Sequence, residues 1–180
     1  TNFSHGLPFF CTSVAISSTQ MLSGVFAGMV ADLCHNATYI TIKGKGAFRD
    51  SEKISVSAIT SLDEAVIGLD LNTYKSKEIA PQVTDLIAKT RHIRHFGANA
   101  LELCYVAAGL TEGFVDIRRK IRTTDIAAGF LIIQEAGGIV TDPNNQPIDV
   151  KLDPKQQLNF VASNNLAIHK NLLSLIKLST

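Results

Sequence analysis

The chain has 180 residues, 46% of them hydrophobic, enough to bury a core as one domain or one and a fraction, which excludes a disordered tail. A formal net charge of +1, with no block of like charges, gives no basis for a long nucleic-acid footprint, so any anionic ligand is expected to be small and locally bound. No apolar run reaches the roughly 18 residues of a membrane-spanning helix. The three cysteines, Cys11, Cys34 and Cys104, lack CxxC and Cys/His zinc spacings, so reduced, buried thiols in a cytosolic protein are expected.

The first residues, TNFSHGLPFFCTSVAISS, have no Met, no basic stretch and no signal-peptide cleavage pattern, and read like the middle of a longer sequence. Residues 10–31 are apolar and β-branched with a break at 17–20, which predicts two strands joined by a tight turn. Residues 38–42, TYITI, alternate as a half-buried strand does. Gly44 and Gly46 then supply a turn into the short piece Ala47-Phe48-Arg49, completing an antiparallel meander. A strand over 64–71 precedes a helix around 78–89 whose apolar stripe is Ile79, Val83, Leu86 and Ile87.

The second half changes rhythm. Residues 91–96 read as extended, 98–108 as a helix ending at Gly109, and 113–117 (GFVDI) as a strand. Asp125 is expected to open a helix through Ala136, stopped by Gly137-Gly138. A strand GIVT, a turn at 142–145, a strand over 158–162 and an amphipathic helix over about 165–178 finish the chain. Strands alternating with helices argue for an α/β layer. Internal repeats and low-complexity segments are absent from the sequence.

Three segments carry candidate chemistry. In RTTDIAAG, Asp125 has the position of a helix cap, and Ala127-Ala128-Gly129 would also let an anion approach the helix start, where a carboxylate can hold Mg²⁺ that bridges to phosphate. Both roles are compatible, since a carboxylate has two oxygens. In Arg94-His95-Phe96-Gly97-Ala98-Asn99-Ala100, small residues before a helix would present N–H groups to an anion, with Arg94 as a fork for phosphate oxygens; an ordinary strand-to-helix turn fits as well. Asp116 suits sugar or polyol hydroxyls and the nearby Arg118-Arg119-Lys120 suits phosphate, unless these are simply a solvated strand end. The five histidines show no metal-ligand spacing. Absence of GxSxG, Walker A and GxGxxG motifs argues against an α/β hydrolase, a P-loop NTPase and a Rossmann dehydrogenase.

In this order, TNFSHGLPFFCTSVAIS, GKGAF with SEKISVS, FGANALELCYVAAGLTEGFVDI and TTDIAAGFLIIQEAGGIVTD resemble the inositol monophosphatase and fructose-1,6-bisphosphatase family of Mg²⁺-dependent, lithium-sensitive sugar and polyol phosphatases. The last segment is similar to the family signature Trp-Asp-x-Ala-Ala-Gly followed by Glu-Ala-Gly-Gly. The resemblance implies a layered α-β-α-β-α fold, usually dimeric, in which residues 1–61 complete an antiparallel sheet and residues 62–180 form the C-terminal α/β part. It implies that Asp125 ligates a catalytic Mg²⁺, one of two or three ions, and positions water. Asp116 would contact substrate hydroxyls, and Gly97, Ala98 and Asn99 would form a substrate-contacting turn.

Thr1 and Asn2 would be the tail of the Asp-Pro-(Ile/Leu)-Asp-Gly-Thr metal motif, with N–H groups that orient phosphate. Thr124 stands where many members have Trp, and residues 117–124 suggest a longer, more basic loop, closer to archaeal dual-specificity members whose arginines comparable to Arg94 and Arg118 bind substrate. The other metal ligands of the family would precede Thr1. The chain is therefore expected to be a C-terminal portion lacking the N-terminal third, inactive alone, with apolar surface exposed on the first sheet. The implied substrate is a small phosphorylated polyol or sugar, inositol 1-phosphate or fructose 1,6-bisphosphate. The alternatives are a non-catalytic phosphosugar-binding protein of the same fold and a 3'-phosphoadenosine 5'-phosphate phosphatase.

Overall fold

The structure, a computed structural model, describes residues 2–71 and 76–177. Strands β1 (Cys11–Ser17), β2 (Val25–Asp32), β3 (Ala37–Ile42), β4 (Ala47–Arg49) and β5 (Glu52–Ile54) form an antiparallel meander in chain order. Alternation sets its faces: on β3, Ala37, Tyr39 and Thr41 turn inward, while Ile40 and Ile42 turn out. Between β3 and β4 the chain reverses through Gly44 and Gly46, both at positive φ (77° and 83°). Their N–H groups donate to the two carboxylate oxygens of Glu135, at 2.7 and 2.9 Å.

The second half contains β6 (Val66–Leu69), α1 (Ser76–Lys89), β7 (His92–Arg94), α2 (Asn99–Ala107) and β8 (Gly113–Arg122). It continues through α3 (Thr123–Glu135), β9 (Ile139–Thr141), β10 (Gln157–Ser163) and α4 (Leu166–Leu175). Its sheet has the order β7-β6-β8-β10-β9, with β6 parallel to both β7 and β8, and β10 antiparallel to β8 and β9.

Helices α2 and α3 lie between the two sheets. Leu101, Leu103, Ile126 and Ile132 pack in one core with Val30 and Tyr39 of the first sheet and Phe114 and Phe160 of the second. Helices α1 and α4 cover the other face of the second sheet, where Ile79, Val83, Leu86, Ile168 and Leu172 meet Ile67, Val115 and Val161. The described residues thus stack as sheet, helix pair, sheet, helix pair. This is the α+β layered architecture expected from the sequence, less the outermost helical layer of the five.

The outer face of the first sheet is left apolar and open. Val14, Met29 and Ile40 stand side by side across β1, β2 and β3, and are 46%, 37% and 42% exposed.

Several details differ from the sequence reading. Ile87, placed on the buried stripe of α1, is exposed. The loop expected over 117–124 is mostly strand: β8 continues to Arg122 because β10 supplies backbone partners as far as the Gln157–Arg122 pair. A register irregularity there, with Arg119 at φ 53°, lets polar side chains turn outward at a strand end. Helix α3 begins at Thr123, so Asp125 is its third residue and not its cap. All three cysteines are free; Cys104 is buried, while Cys11 and Cys34 are only partly so. The 61/62 boundary falls in the connector between β5 and β6, and α2 and α3 share their core with the first sheet.

Candidate active site

Two helices start at the same place. The first turn of α2 and the first turn of α3 open onto one cleft of about 390 Å³, lined by Asn2, Phe9, Cys11, Gly97, Ala98, Asn99, Thr124 and Asp125 among others. Each helix start carries backbone N–H groups without intrahelical acceptors and a partial positive charge, so the cleft is suited to an anion.

The turn before α2 is fastened from both sides. Asn2 donates through Nδ2 to the carbonyls of Phe9 and Phe96, at 2.7 and 2.6 Å. The Phe9 and Phe96 rings stack with centroids 4.7 Å apart, and Tyr105 meets both edge-on. Gly97, at φ 78°, donates its N–H to Oε1 of the buried Glu102 at 3.0 Å. Glu102 Oε2 and Asn99 Oδ1 are both shielded from solvent without a partner. Asn99 lines the cleft, while its Oδ1 lies on the side away from solvent. Burial pushes the Glu102 carboxyl up to about 7, against the opposing Gly97 hydrogen bond and aided by the charge of Asp70.

Asp125 is half-exposed. Its Oδ2 accepts from the Arg122 Nε at 2.9 Å and its Oδ1 from Arg122 Nη2 at 2.8 Å, a bidentate pair at the mouth of the cleft. Its Oδ2 also accepts weakly from the Arg122 backbone N–H, at 3.4 Å, closing the first turn of α3. A carboxylate at a helix start fits one position of a hard cation's oxygen shell, with Arg122 giving up an oxygen to make room. Among the described residues no group of three or more His, Cys, Asp or Glu is arranged to hold a metal ion, so these residues supply one ligand and not a whole centre.

Of the residues singled out from the sequence, Asn2, Gly97, Ala98, Asn99 and Asp125 meet in the cleft. Thr1 lies outside the described residues. Arg94, Asp116 and Arg118 do not line the cleft. Arg94 is exposed and donates to the carbonyl of Ile93 at 3.0 Å.

Asp116 and Arg118 are buried together: Arg118 Nε and Nη2 donate to the two Asp116 oxygens at 3.1 and 2.7 Å, and Nη2 also pairs with Asp70. The small run Ala127-Ala128-Gly129 serves packing rather than anion approach. A Cβ on Gly28 of β2 would come within 3.0 Å of the Ala128 Cα, and one on Gly129 within 2.8 Å of Leu103 of α2. Sequence reasoning missed Glu102, Asp70 and Arg122, whose importance lies in contacts with distant or unremarked neighbours.

Comparison with known proteins identifies the family and the fold. The model of the inositol monophosphatase family matches residues 1–179. A fructose-1,6-bisphosphatase/inositol-1-monophosphatase of Methanothermobacter thermautotrophicus is 33% identical over 183 residues, covering 98% of this chain and 64% of its own length. A bifunctional NADP phosphatase/NAD kinase of Methanococcus maripaludis is 35% identical over 189 residues, covering 94% of this chain and 32% of its own. A solved protein from Pyrococcus horikoshii, described as having similarities for inositol-1 monophosphatase, superposes with a TM-score of 0.86 at 32% identity, over 98% of this chain and 66% of that one. The chain therefore spans about two thirds, or less, of the proteins it matches. With its match over nearly every residue and its paired helix starts around Asp125, the chain belongs to the inositol monophosphatase family.

Proposed function

We propose that the protein hydrolyses a phosphomonoester of a small polyol or sugar, such as inositol 1-phosphate or fructose 1,6-bisphosphate. The observation that carries this reading is the convergence of two helix N-termini and Asp125 on one cleft that Asn99 also lines. The N–H groups of the two helix starts bind phosphate oxygens, Asn99 contacts the leaving group, and Asn2 and Glu102 keep the Gly97 turn in place.

Asp125 contributes one carboxylate to Mg²⁺, which when bound lowers the pKa of a water and neutralises phosphate charge. Attack by water without a phosphoenzyme is favoured by the state of the cleft's thiol. Burial raises Cys11 to about 11, so the sulfur stays protonated at neutral pH and is a poor nucleophile. We further propose lithium inhibition, a homodimer and a cytoplasmic location, in keeping with the family resemblance; no described helix is long and apolar enough to cross a membrane.

The test is phosphate release by the full-length protein from inositol 1-phosphate, fructose 1,6-bisphosphate, 3'-phosphoadenosine 5'-phosphate and NADP, with Mg²⁺, with EDTA and with Li⁺. The last substrate is included because of the NADP phosphatase relative. Release from a polyol or sugar phosphate that needs Mg²⁺ and falls with Li⁺ is expected. Tight binding of the phosphosugars with no release from any compound would instead indicate a non-catalytic binding protein.

A further inference from the structure

Strands β7, β6 and β8 run parallel side by side, so their carboxyl ends point the same way, the end at which α/β sheets gather ligands. Level with the carboxyl ends of β6 and β7, His95, Asp70 and the mid-strand β8 residues Asp116 and Arg118 form one cluster. Asp70 follows β6 and donates its N–H to the Val115 carbonyl of β8, which places its side chain beside Asp116 and Arg118. The Arg118 guanidinium takes both oxygens of Asp116 through Nε and Nη2, and Nη2 turns to Asp70 as well. His95 Nδ1 lies 3.4 Å from Asp70 Oδ1. The side chains of Arg118, Asp70 and Asp116 are 4%, 7% and 0% exposed.

The cluster stands one layer behind the cleft wall. Glu102, whose Oε1 holds the Gly97 N–H, feels the Asp70 charge and has its other oxygen against Gly68, two residues before Asp70. The cation best suited to a second phosphate is thus occupied, and two carboxylates around one guanidinium leave an excess negative charge. An approaching phosphate would meet repulsion in place of a fork, whereas a neutral hydroxyl would not.

We propose that Asp70 is a specificity-determining positioning residue: by holding Arg118 against Asp116 it withholds the guanidinium from the cleft, so that the site takes one phosphate on a polyol and gains nothing from a second. This rests on the reading of the cleft as a phosphate site, and it names which ligands that site prefers. Asp70→Asn keeps the size and a hydrogen bond but removes one of the two charges that engage Arg118, leaving Asp116 alone to compete with an incoming phosphate for the guanidinium.

The experiment is calorimetric binding of fructose 1-phosphate and fructose 1,6-bisphosphate to the full-length protein in EDTA, so that no turnover intervenes. The unsubstituted protein is expected to bind the two within about threefold of each other. Asp70→Asn is expected to favour the bisphosphate by about tenfold, a gain that Arg118→Gln in the same background abolishes. A bisphosphate preference of tenfold or more in the unsubstituted protein overturns the proposal without recourse to a variant. So does an Asp70→Asn effect equal for both ligands, or a gain that survives loss of Arg118. Binding of neither compound, in EDTA and with Ca²⁺ in place of Mg²⁺ alike, overturns the proposal and the phosphate-cleft reading together, whereas binding without hydrolysis in Mg²⁺ overturns only the catalytic reading.

Discussion

Glu102 lies in the first turn of the apolar helix α2, buried, with one oxygen on the Gly97 N–H and the other unpartnered. Its carboxyl is raised from 4.5 to about 7, chiefly by burial, so the folded chain holds a proton there that the unfolded chain has already released. Stability from this group is therefore present below about pH 4.5 and lost as pH rises through about 7. The loss amounts to on the order of 3 kcal/mol at the usual conversion of pKa shift to free energy.

Glu102→Gln keeps an acceptor for Gly97 and removes the charge. It should melt above the unsubstituted protein at pH 8 and close to it at pH 4, in thermal unfolding followed by circular dichroism; equal gains at both pH values would contradict the assignment. Glu135 offers a second residue-scale test. With both oxygens on the Gly44 and Gly46 N–H groups, Glu135→Ala should cost about 1–3 kcal/mol in denaturant unfolding and Glu135→Gln less, since one acceptor remains. Neither role was legible in the sequence. Glu102 interrupts a hydrophobic pattern without comment, and Glu135 joins two motifs 91 residues apart whose meeting is a tertiary fact.

Among the elements, α3 shows what a sequence pattern can and cannot convey. Its span and its terminating glycines are visible from periodicity, and the structure places it at Thr123–Glu135. The purpose of its small residues is not visible, because Ala128 is matched to Gly28 on a strand about 100 residues earlier and Gly129 to Leu103 on α2. Gly28→Ala should accordingly force β2 and α3 apart and destabilise the fold by about 1–3 kcal/mol in equilibrium unfolding. A neutral result would show that the sheet and helix have room to spare. The sequence pattern conveys the first five residues of β8 and not the last five, because GFVDI is its buried-looking stretch. The remainder, RRKIR, turns most of its polar side chains outward while its backbone still pairs with β10.

On the scale of the molecule, the element order was enough to expect an antiparallel meander followed by an α/β layer, and the family resemblance implied that sheets and helices stack in layers. It could not show that α2 and α3 form the slab between the sheets, which depends on where buried faces meet. The exposed row Val14–Met29–Ile40 agrees with the expectation of apolar surface on the first sheet. The 180-residue chain prepared alone should bind an environment-sensitive dye and self-associate in sedimentation, and Ile40→Lys should reduce both without lowering its melting temperature by more than a few degrees. A monomeric chain that binds no dye would contradict this.

The cleft itself was half legible: Asp125 and the Gly97–Asn99 turn stand out by motif, while the burial of Arg118 between Asp70 and Asp116 does not, because an arginine near a strand end looks the same whether it is free or engaged. The central claim, that Asp125 at a paired helix start serves phosphate-ester hydrolysis, is tested most directly by Mg²⁺-dependent phosphate release from the full-length protein carrying Asp125→Asn, with its melting temperature measured alongside. Turnover should fall at least about a hundredfold, a loss of roughly 3 kcal/mol of transition-state stabilisation or more, while the melting temperature moves by only a few degrees. Near-normal turnover in a folded Asp125→Asn protein would contradict it.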